Sequence, residues 1–339
     1  MRVSDGLGRA TIGDVADRAG VSIATVSRVV NDRYGVASAT AARVRVAIDE
    51  LGYESNLIAR SMRSQRTDII GVMVSGIEPF SSELLKGIAT ELRNSGLALI
   101  VYSGGMSGEE GWERRYLSRL SDTLADGTIL VTPTVVDVDS SHPIVAVDPH
   151  VGGSAIPTVA SQNYEGAVAA TEHLIGLGHR RIGFLGGRPD LESARRREAG
   201  YRAALESAGI PFESELIQVG GFTEETAQRP AEALLGLPER PTAIFASNDL
   251  SAIQVLRTAR ELGLRVPDDL ALVGFDNIPE SALTEPPLTT VDQSIQAQGR
   301  EAVRILIGLI NEPSRPAEPV HLLLPTQLIV RPSSAPPAR

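Results

Sequence analysis

The 339-residue sequence is 42% hydrophobic and 22% charged, the balance of a globular protein with material for more than one packed core. It contains no cysteine, which excludes disulfides, thiolate metal sites and a catalytic thiol, and no apolar run approaches the roughly 18 residues of a membrane helix. A formal charge of -10 argues against a nucleic-acid partner for the chain as a whole, yet residues 1–66 carry ten Arg/Lys against seven Asp/Glu while the remainder carries 22 against 35; a basic head sits on an acidic body.

The N-terminus has no apolar signal core, so a cytoplasmic protein is expected. Thr11-Ile12-Gly13-Asp14 has capping-box spacing, and Ile12, Val15, Ala16 and Ala19 recur at helical intervals up to Gly20, whose missing Cβ suits a left-handed stop. Ser22 offers a second N-cap, followed by an apolar face of Val26, Val29 and Val30. A third helix is predicted over 39–51, with Val44, Ala47, Ile48 and Leu51 on one side. Two short helices joined at a tight glycine turn and buttressed by a third make either a structural three-helix bundle or a helix-turn-helix.

The residues themselves favour the second. Thr11-Ile12-Gly13-Asp14-Val15-Ala16, Ala19-Gly20-Val21-Ser22, Thr25-Val26-Ser27-Arg28-Val29-Val30-Asn31 and Asp49-Glu50-Leu51-Gly52-Tyr53 together resemble the head of the lactose/galactose-repressor (LacI/GalR) family. The resemblance implies double-stranded operator DNA as partner and a recognition helix whose groove-facing side holds Ile23, Ala24, Thr25 and Arg28. Arg28 can present a bidentate fork to guanine, whereas Ile23 and Ala24 can only touch thymine methyls or enforce shape. Ser22, Ser27 and Thr11 suit phosphate contacts, and Asn31 belongs to the same matched stretch. Residues 55–64 resemble the family's hinge helix, which lies in the minor groove. There Asn56 or Ser55 would cap, Ala59 would allow close approach, and Met62 would stand where the family usually places a leucine wedge.

Beyond Ile69, strands are predicted over 69–74, 97–102, 127–131, 144–147, 182–185, 242–246, 270–275 and 322–330. Helices are predicted over 82–94, 110–124, 165–177, 192–208, 223–235 and 249–262, with Trp112 packing on the second of these. This βα alternation describes doubly wound parallel sheets, whose ligands lie beyond the carboxyl ends of the strands. No phosphate-cradling glycine motif or nucleophile elbow appears, and the five histidines have no metal-ligand spacing. No enzyme, cofactor or metal is therefore expected.

Over nearly its whole length the body is similar to the family's effector domain, itself similar to periplasmic sugar-binding proteins. The matching segments include Glu172-His173-Leu174, Leu177 to Ile182, Pro241 to Asp249, Val273-Gly274-Phe275-Asp276-Asn277 and Pro286 to Val291. The expected fold is an all-α helix-turn-helix head (1–54), a hinge helix and linker (55–67) and an α/β periplasmic-binding-protein-like body (68–332) of two doubly wound parallel-sheet subdomains. One subdomain would span 68–161 plus 294–316 and the other 162–292 plus 318–332, followed by a disordered tail from about Arg331 to Arg339. By the same resemblance Phe80, Asp148, Arg197, Phe222, Asn248, Asp276 and Gln293 face an effector cleft. Carboxylates, amides and one guanidinium bridge paired hydroxyls and phenylalanine faces pack on rings, so a small sugar is the expected effector. The resemblance also implies a homodimer on a palindromic operator, its interface running through both subdomains. A regulator corepressed by a purine and a sugar-binding protein without regulatory role are the alternatives.

Overall fold

Thr11 opens the first helix as its spacing predicts: its hydroxyl accepts the Asp14 amide at 3.3 Å while the Asp14 carboxylate accepts the Thr11 amide at 2.7 Å. The structure, a computed structural model, describes residues 10–30, 34–51, 53, 66–104, 113–114, 116–117, 124–135, 142–151, 155–312 and 319–334. The chain divides into two units, Met1–Thr67 and Asp68–Arg339.

In the first unit, α1 (Ile12–Ala19) ends at Gly20, which takes φ 64° and closes the helix from the left-handed region. Helices α2 (Ile23–Val30) and α3 (Ser38–Leu51) follow. Val15, Ala16, Val26, Val29, Val44 and Ala47, at 7% exposure or less, form the shared core. An Arg18–Glu50 ion pair at 2.5 Å ties α1 to α3 at the surface.

The second unit alternates as expected. Its first half runs β1 (Ile69–Val74), α4 (Pro79–Leu92), β2 (Ala98–Ser103), β3 (Gly127–Val131), β4 (Ile144–Val147) and β5 (Thr158–Ser161). The second half runs α5 (Asn163–Gly176), β6 (Ile182–Gly186), α6 (Glu192–Ser207), β7 (Ile217–Val219), α7 (Glu224–Leu235), β8 (Ala243–Ala246), α8 (Asp249–Glu261), β9 (Ala271–Asp276) and β10 (Thr289–Asp292). The chain then returns through α9 (Ile295–Asn311), β11 (His321–Leu324) and β12 (Gln327–Ile329). Of the predicted helix over 110–124, Glu113, Arg114, Tyr116 and Leu117 are described and helical, whereas Leu124 at its predicted end lies in a turn; Trp112 lies outside the described residues.

Two six-stranded sheets result, ordered β2-β1-β3-β4-β5-β11 and β7-β6-β8-β9-β10-β12, parallel throughout except for the β10–β12 pair. The central strands β1, β3, β4, β6, β8 and β9 are buried along their whole length, as apolar runs covered on both faces must be. Helices α4 and α9 pack on the first sheet around Ile70, Val72, Leu84, Ile88, Val145, Val303 and Leu306. They approach closely because a Cβ on Gly87 would fall 2.1 Å from the Gln296 carbonyl oxygen, and one on Gly299 would fall 2.5 Å from that of Leu84. The second sheet buries Phe184 against Tyr201 at 5.0 Å and Phe245 at 5.4 Å between ring centroids.

The C-terminus corrects two expectations. The strand predicted over 322–330 is two strands: β11 pairs with β5 in the first sheet and β12 with β10 in the second. Pro325 between them has no amide hydrogen to continue a ladder, so the third crossing falls at Pro325–Thr326, and residues 321–324 belong to the first subdomain. Nor are Arg331–Ser334 disordered. Pro332–Ser334 form a 3-10 turn with Ser333 and Ser334 fully buried, and the Ser333 hydroxyl accepts the Thr289 amide at 2.8 Å and donates to the Leu272 carbonyl at 2.7 Å. The sequence hid this because Pro and Ser are common in loose tails, and only the buried backbone they meet gives them partners. Residues 335–339 lie outside the described residues.

Candidate functional site

On the first unit, Ser22, Ile23, Ala24 and Arg28 form the exposed face of α2, with Thr25 and Ser27 half-buried at its border. Ser22 caps the helix, its hydroxyl accepting the Thr25 amide at 3.2 Å and meeting the Thr25 hydroxyl at 2.9 Å. Ile23 is 54% exposed, an apolar side chain held out where a buried valine face lies opposite. Thr11 is exposed but its hydroxyl already serves the capping box, donating to Asp14 at 2.7 Å. The face therefore offers one cation, two small apolar groups and hydroxyls, on a short helix held by its own core. Asn31, Asn56, Ala59 and Met62 lie outside the described residues.

On the second unit, a cavity of about 300 Å³ opens between the two sheets. Each part of its wall follows the carboxyl end of a strand, where doubly wound sheets present ligand groups. Glu78 and Phe80 follow β1, Thr132 follows β3, and Asp148 and His150 follow β4. Across the cleft, Ser193 and Arg197 follow β6, Phe222 follows β7, Asn248 follows β8, Asp276 ends β9 and Gln293 follows β10. All seven cleft residues expected from the sequence thus line one cavity. Positive φ angles concentrate here: Thr132 (47°), Asp148 (48°) and Asp276 (118°) line the wall, and Asn277 (56°) and Ser294 (56°) each follow a wall residue. Non-glycine residues hold such angles only where their surroundings over-determine them.

Arg197, 3% exposed, is the fixed cation of the cavity floor. Its Nε donates to Asn163 Oδ1 at 2.8 Å and its Nη1 to the Ser247 carbonyl at 2.5 Å, while the guanidinium lies 3.8 Å from the Phe275 ring centroid. Asp276 sits beside it, at 3.4 Å from Nη1, and also accepts from Gln293 Nε2. Burial pushes the Asp276 pKa up to about 7; the Arg197 charge opposes this, and the Glu78 and Asp148 charges reinforce it. Burial likewise raises Asp148, with Arg197 and the Ser193 hydroxyl pulling the other way. Glu78, raised by burial as well, caps α4 by accepting the amides of Phe80 at 2.7 Å and Ser81 at 2.9 Å. It thereby fixes where Phe80 stands.

Two of the expected cleft residues also brace the cavity wall. Asn248 caps α8, accepting the Ser251 amide at 3.0 Å, and donates to the Phe222 carbonyl at 3.1 Å. Gln293 accepts from Ser161 at 3.0 Å in addition to holding Asp276. Groups with capacity left for a ligand include the second oxygen of Asp276, Nη2 of Arg197, Asp148 and the hydroxyls of Thr132 and Ser193. Glu78, Thr132, Thr134 and His150 were missed as ordinary residue types, although a rule of reading every loop after a predicted strand finds them; Ser193, in the first turn of α6, escapes that rule as well. Of the Arg195–Arg197 run only Arg197 enters the cleft wall; Arg195 and Arg196 pair with Glu192 at 2.8 Å each.

His150 joins the subdomains at the cleft edge. Its carbonyl accepts the Glu192 amide and Arg195 Nη2, both at 3.1 Å, and its Nδ1 lies 3.3 Å from Asp190. Burial lowers its pKa to about 4; Asp190 opposes the shift, and Arg188 and Arg195 add to it. Between about pH 4 and 6.5 the unfolded chain therefore binds the proton and the folded one does not, so this residue makes stability fall as pH drops through that window. We expect His150→Gln to flatten the slope of stability against pH there, measured by urea unfolding at fixed ionic strength; an unchanged slope contradicts the assignment.

Residues 11–56 match the family described as bacterial regulatory proteins, lacI family, and residues 171–334 match a periplasmic binding protein-like domain. The HTH-type transcriptional repressor PurR of Photobacterium profundum is 35% identical over 312 residues, covering 89% of this chain and 92% of that protein. Among solved structures, the transcriptional regulator CelR–cellobiose complex is 34% identical with a TM-score of 0.71, covering 96% of this chain and 100% of that one. The Lac repressor dimer bound to operator and the anti-inducer ONPF is 28% identical with a TM-score of 0.83, covering 96% and 99%.

Proposed function

The chain belongs to the lacI family of bacterial regulatory proteins, and from that premise we propose that it is a transcriptional repressor released from a palindromic operator when a small neutral sugar fills its cleft. The observation that carries the effector reading is the charge arrangement of the cavity. One buried guanidinium, Arg197, and at the exposed rim Arg188, itself paired with Asp190, are set against the carboxylates of Glu78, Asp148 and Asp276. An anionic ligand would meet more negative than positive charge in a confined space, whereas sugar hydroxyls can donate to carboxylates and accept from Arg197 Nη2. Phe80 and Phe222 supply apolar faces for a ring, and the similar CelR was solved with cellobiose.

The ligand acts by differential affinity. It touches both subdomains at once, so it favours the closure in which both sets of contacts are made, and operator affinity changes only by that difference. On the DNA side, Ile23, Ala24, Thr25 and Arg28 read the major groove, Thr11, Ser22 and Ser27 meet phosphates, and Asn31, Asn56, Ala59 and Met62 complete the contact. Arg28→Ala is expected to cost about 1–3 kcal/mol on specific DNA and to relax the preference at one base pair per half-site. Equal weakening on specific and random duplexes in a mobility-shift titration at fixed salt would reassign Arg28 to phosphate.

The working unit is a homodimer, as two-fold operators require. Exposed apolar side chains on both subdomains, Val101 at 37%, Leu262 at 55% and Leu283 at 83%, suit an interface running along the body. An operator target places its work in the cytoplasm and asks for no catalytic step; no helix among the described residues is long and apolar enough to cross a membrane. Thermal-shift measurement over a panel of neutral sugars tests the effector reading, because a ligand that binds the native state raises its midpoint. A sugar that raises the midpoint of the wild type supports it; a panel of sugars without effect beside a purine that stabilises overturns it.

A further inference from the structure

The turn after β9 holds two successive non-glycine residues at positive φ, Asp276 at 118° and Asn277 at 56°, followed by buried Ile278. The first residue faces the cavity. The third inserts into the apolar cluster of the opposite subdomain, with Ile70, Val72 and Leu84. One three-residue turn therefore touches both the ligand space and the other half of the body, in a backbone conformation that needs outside support.

That support comes from two ionisable residues outside the cavity wall. Asp249, fully buried at the start of α8, accepts the Ile278 amide at 2.9 Å and the Thr290 hydroxyl at 2.5 Å. Thr290 Oγ1 in turn accepts the Asn277 amide at 3.3 Å. Arg331 arrives from the C-terminal segment. Its Nη2 donates to Asn277 Oδ1 at 2.7 Å, and its Nη1 donates to the Leu288 carbonyl at 2.8 Å and to Ser281 Oγ at 3.0 Å. Its own backbone is fixed by Thr289 Oγ1, which accepts the Arg331 amide at 2.8 Å and donates to its carbonyl at 2.7 Å. Burial and the neighbouring Asp276 charge raise the Asp249 pKa well above the usual carboxylate range, with the Thr290 hydroxyl, the Ile278 amide and, least, the Arg331 charge pulling the other way. The side-chain amide of Asn277 is spent on the same brace, donating to Asp292 at 3.2 Å.

We infer that Asp249 and Arg331 are positioning residues for the effector cleft: they hold the Asp276–Ile278 turn so that one oxygen of Asp276 faces the ligand while Ile278 stays docked in the opposite subdomain. The inference rests on the reading of the cavity as the effector site. It gives the C-terminal segment a functional task that composition alone does not suggest.

The test uses the full-length protein with Arg331→Met, which keeps the stem and removes the fork, and Asp249→Asn, which is isosteric but has one oxygen where the Ile278 amide and the Thr290 hydroxyl each need an acceptor. Amide exchange followed by mass spectrometry should show the peptide covering 276–280 exchanging at least about tenfold faster in both variants, with β6 and α6 unchanged. Affinity for the sugar that stabilises the wild type in a panel of cellobiose, glucose and ribose should fall about tenfold, with operator affinity in the absence of sugar unchanged and Arg331→Lys recovering part of the loss. Exchange at 276–280 equal to wild type in folded variants overturns the inference. So does unaltered sugar affinity in a protein whose Asp276→Ala variant has lost it. If no sugar stabilises the wild type, the effector reading fails separately, and the exchange measurement still decides whether the two residues brace the turn.

Discussion

Asp276→Ala is expected to lose the sugar response, with sugar affinity down at least about 100-fold, while operator binding without sugar stays at the wild-type value. A buried charged or polar contact to a ligand is worth about 2–5 kcal/mol when one partner is removed, and Asp276 is central to this site in three ways. It offers a carboxylate oxygen to the cavity, it pairs with Arg197, and it holds Gln293 at the crossing into α9. Alanine removes all three and leaves Arg197 with Asn163 and the Ser247 carbonyl. Because Asp276 belongs to the second unit and the helix-turn-helix to the first, DNA binding should be spared. Isothermal titration with sugar and mobility shift with operator, on the same preparation, check both halves; retained sugar affinity would remove Asp276 from the site.

Gly87→Ala should destabilise the body by about 3 kcal/mol, the upper range for overpacking a tight contact. The new Cβ would meet backbone, with Gln296 oxygen at 2.1 Å and its carbonyl carbon at 2.8 Å, so no side chain can swing aside. Helices α4 and α9 must separate. Their N-termini carry Glu78 and Phe80 on one side and follow Gln293 on the other, so the separation should also weaken sugar binding. A urea midpoint shift with unchanged slope measures the first effect. A variant as stable as wild type contradicts the packing of these helices.

The fold was legible where physics leaves one choice. Ile69–Val74, Gly127–Val131 and Ile144–Val147 are continuous apolar runs bounded by turn residues, and each forms a strand over the predicted span. The strands Thr158–Ser161, Ile217–Val219 and Thr289–Asp292 were not predicted, because they are three or four residues long and carry polar side chains whose burial depends on partners from other segments. The split of 322–330 turned on Pro325, with polar Thr326 and Gln327 after it, between two short apolar runs. In the cleft, Phe80, Asp148, Arg197 and Asp276 were reached through family resemblance, not through spacing. What they do there was less legible. A sequence cannot say that Asn248 and Gln293 are occupied by Ser251, Phe222, Ser161 and Asp276, nor that Glu78 adds a third carboxylate. Arg331 was invisible as a brace because its partners lie 42 to 54 residues away in the sequence.

The central claim is that a neutral sugar releases this repressor from DNA. It is tested most directly by titrating the sugar into a preformed complex of the full-length protein with a labelled operator, followed by fluorescence anisotropy at fixed salt. Release is predicted, with operator affinity falling about 5- to 150-fold at saturation, the usual span of a coupling between two sites, and with no release in Asp276→Ala. Tighter operator binding on addition of a purine, or release by a sugar phosphate alone, would contradict the account.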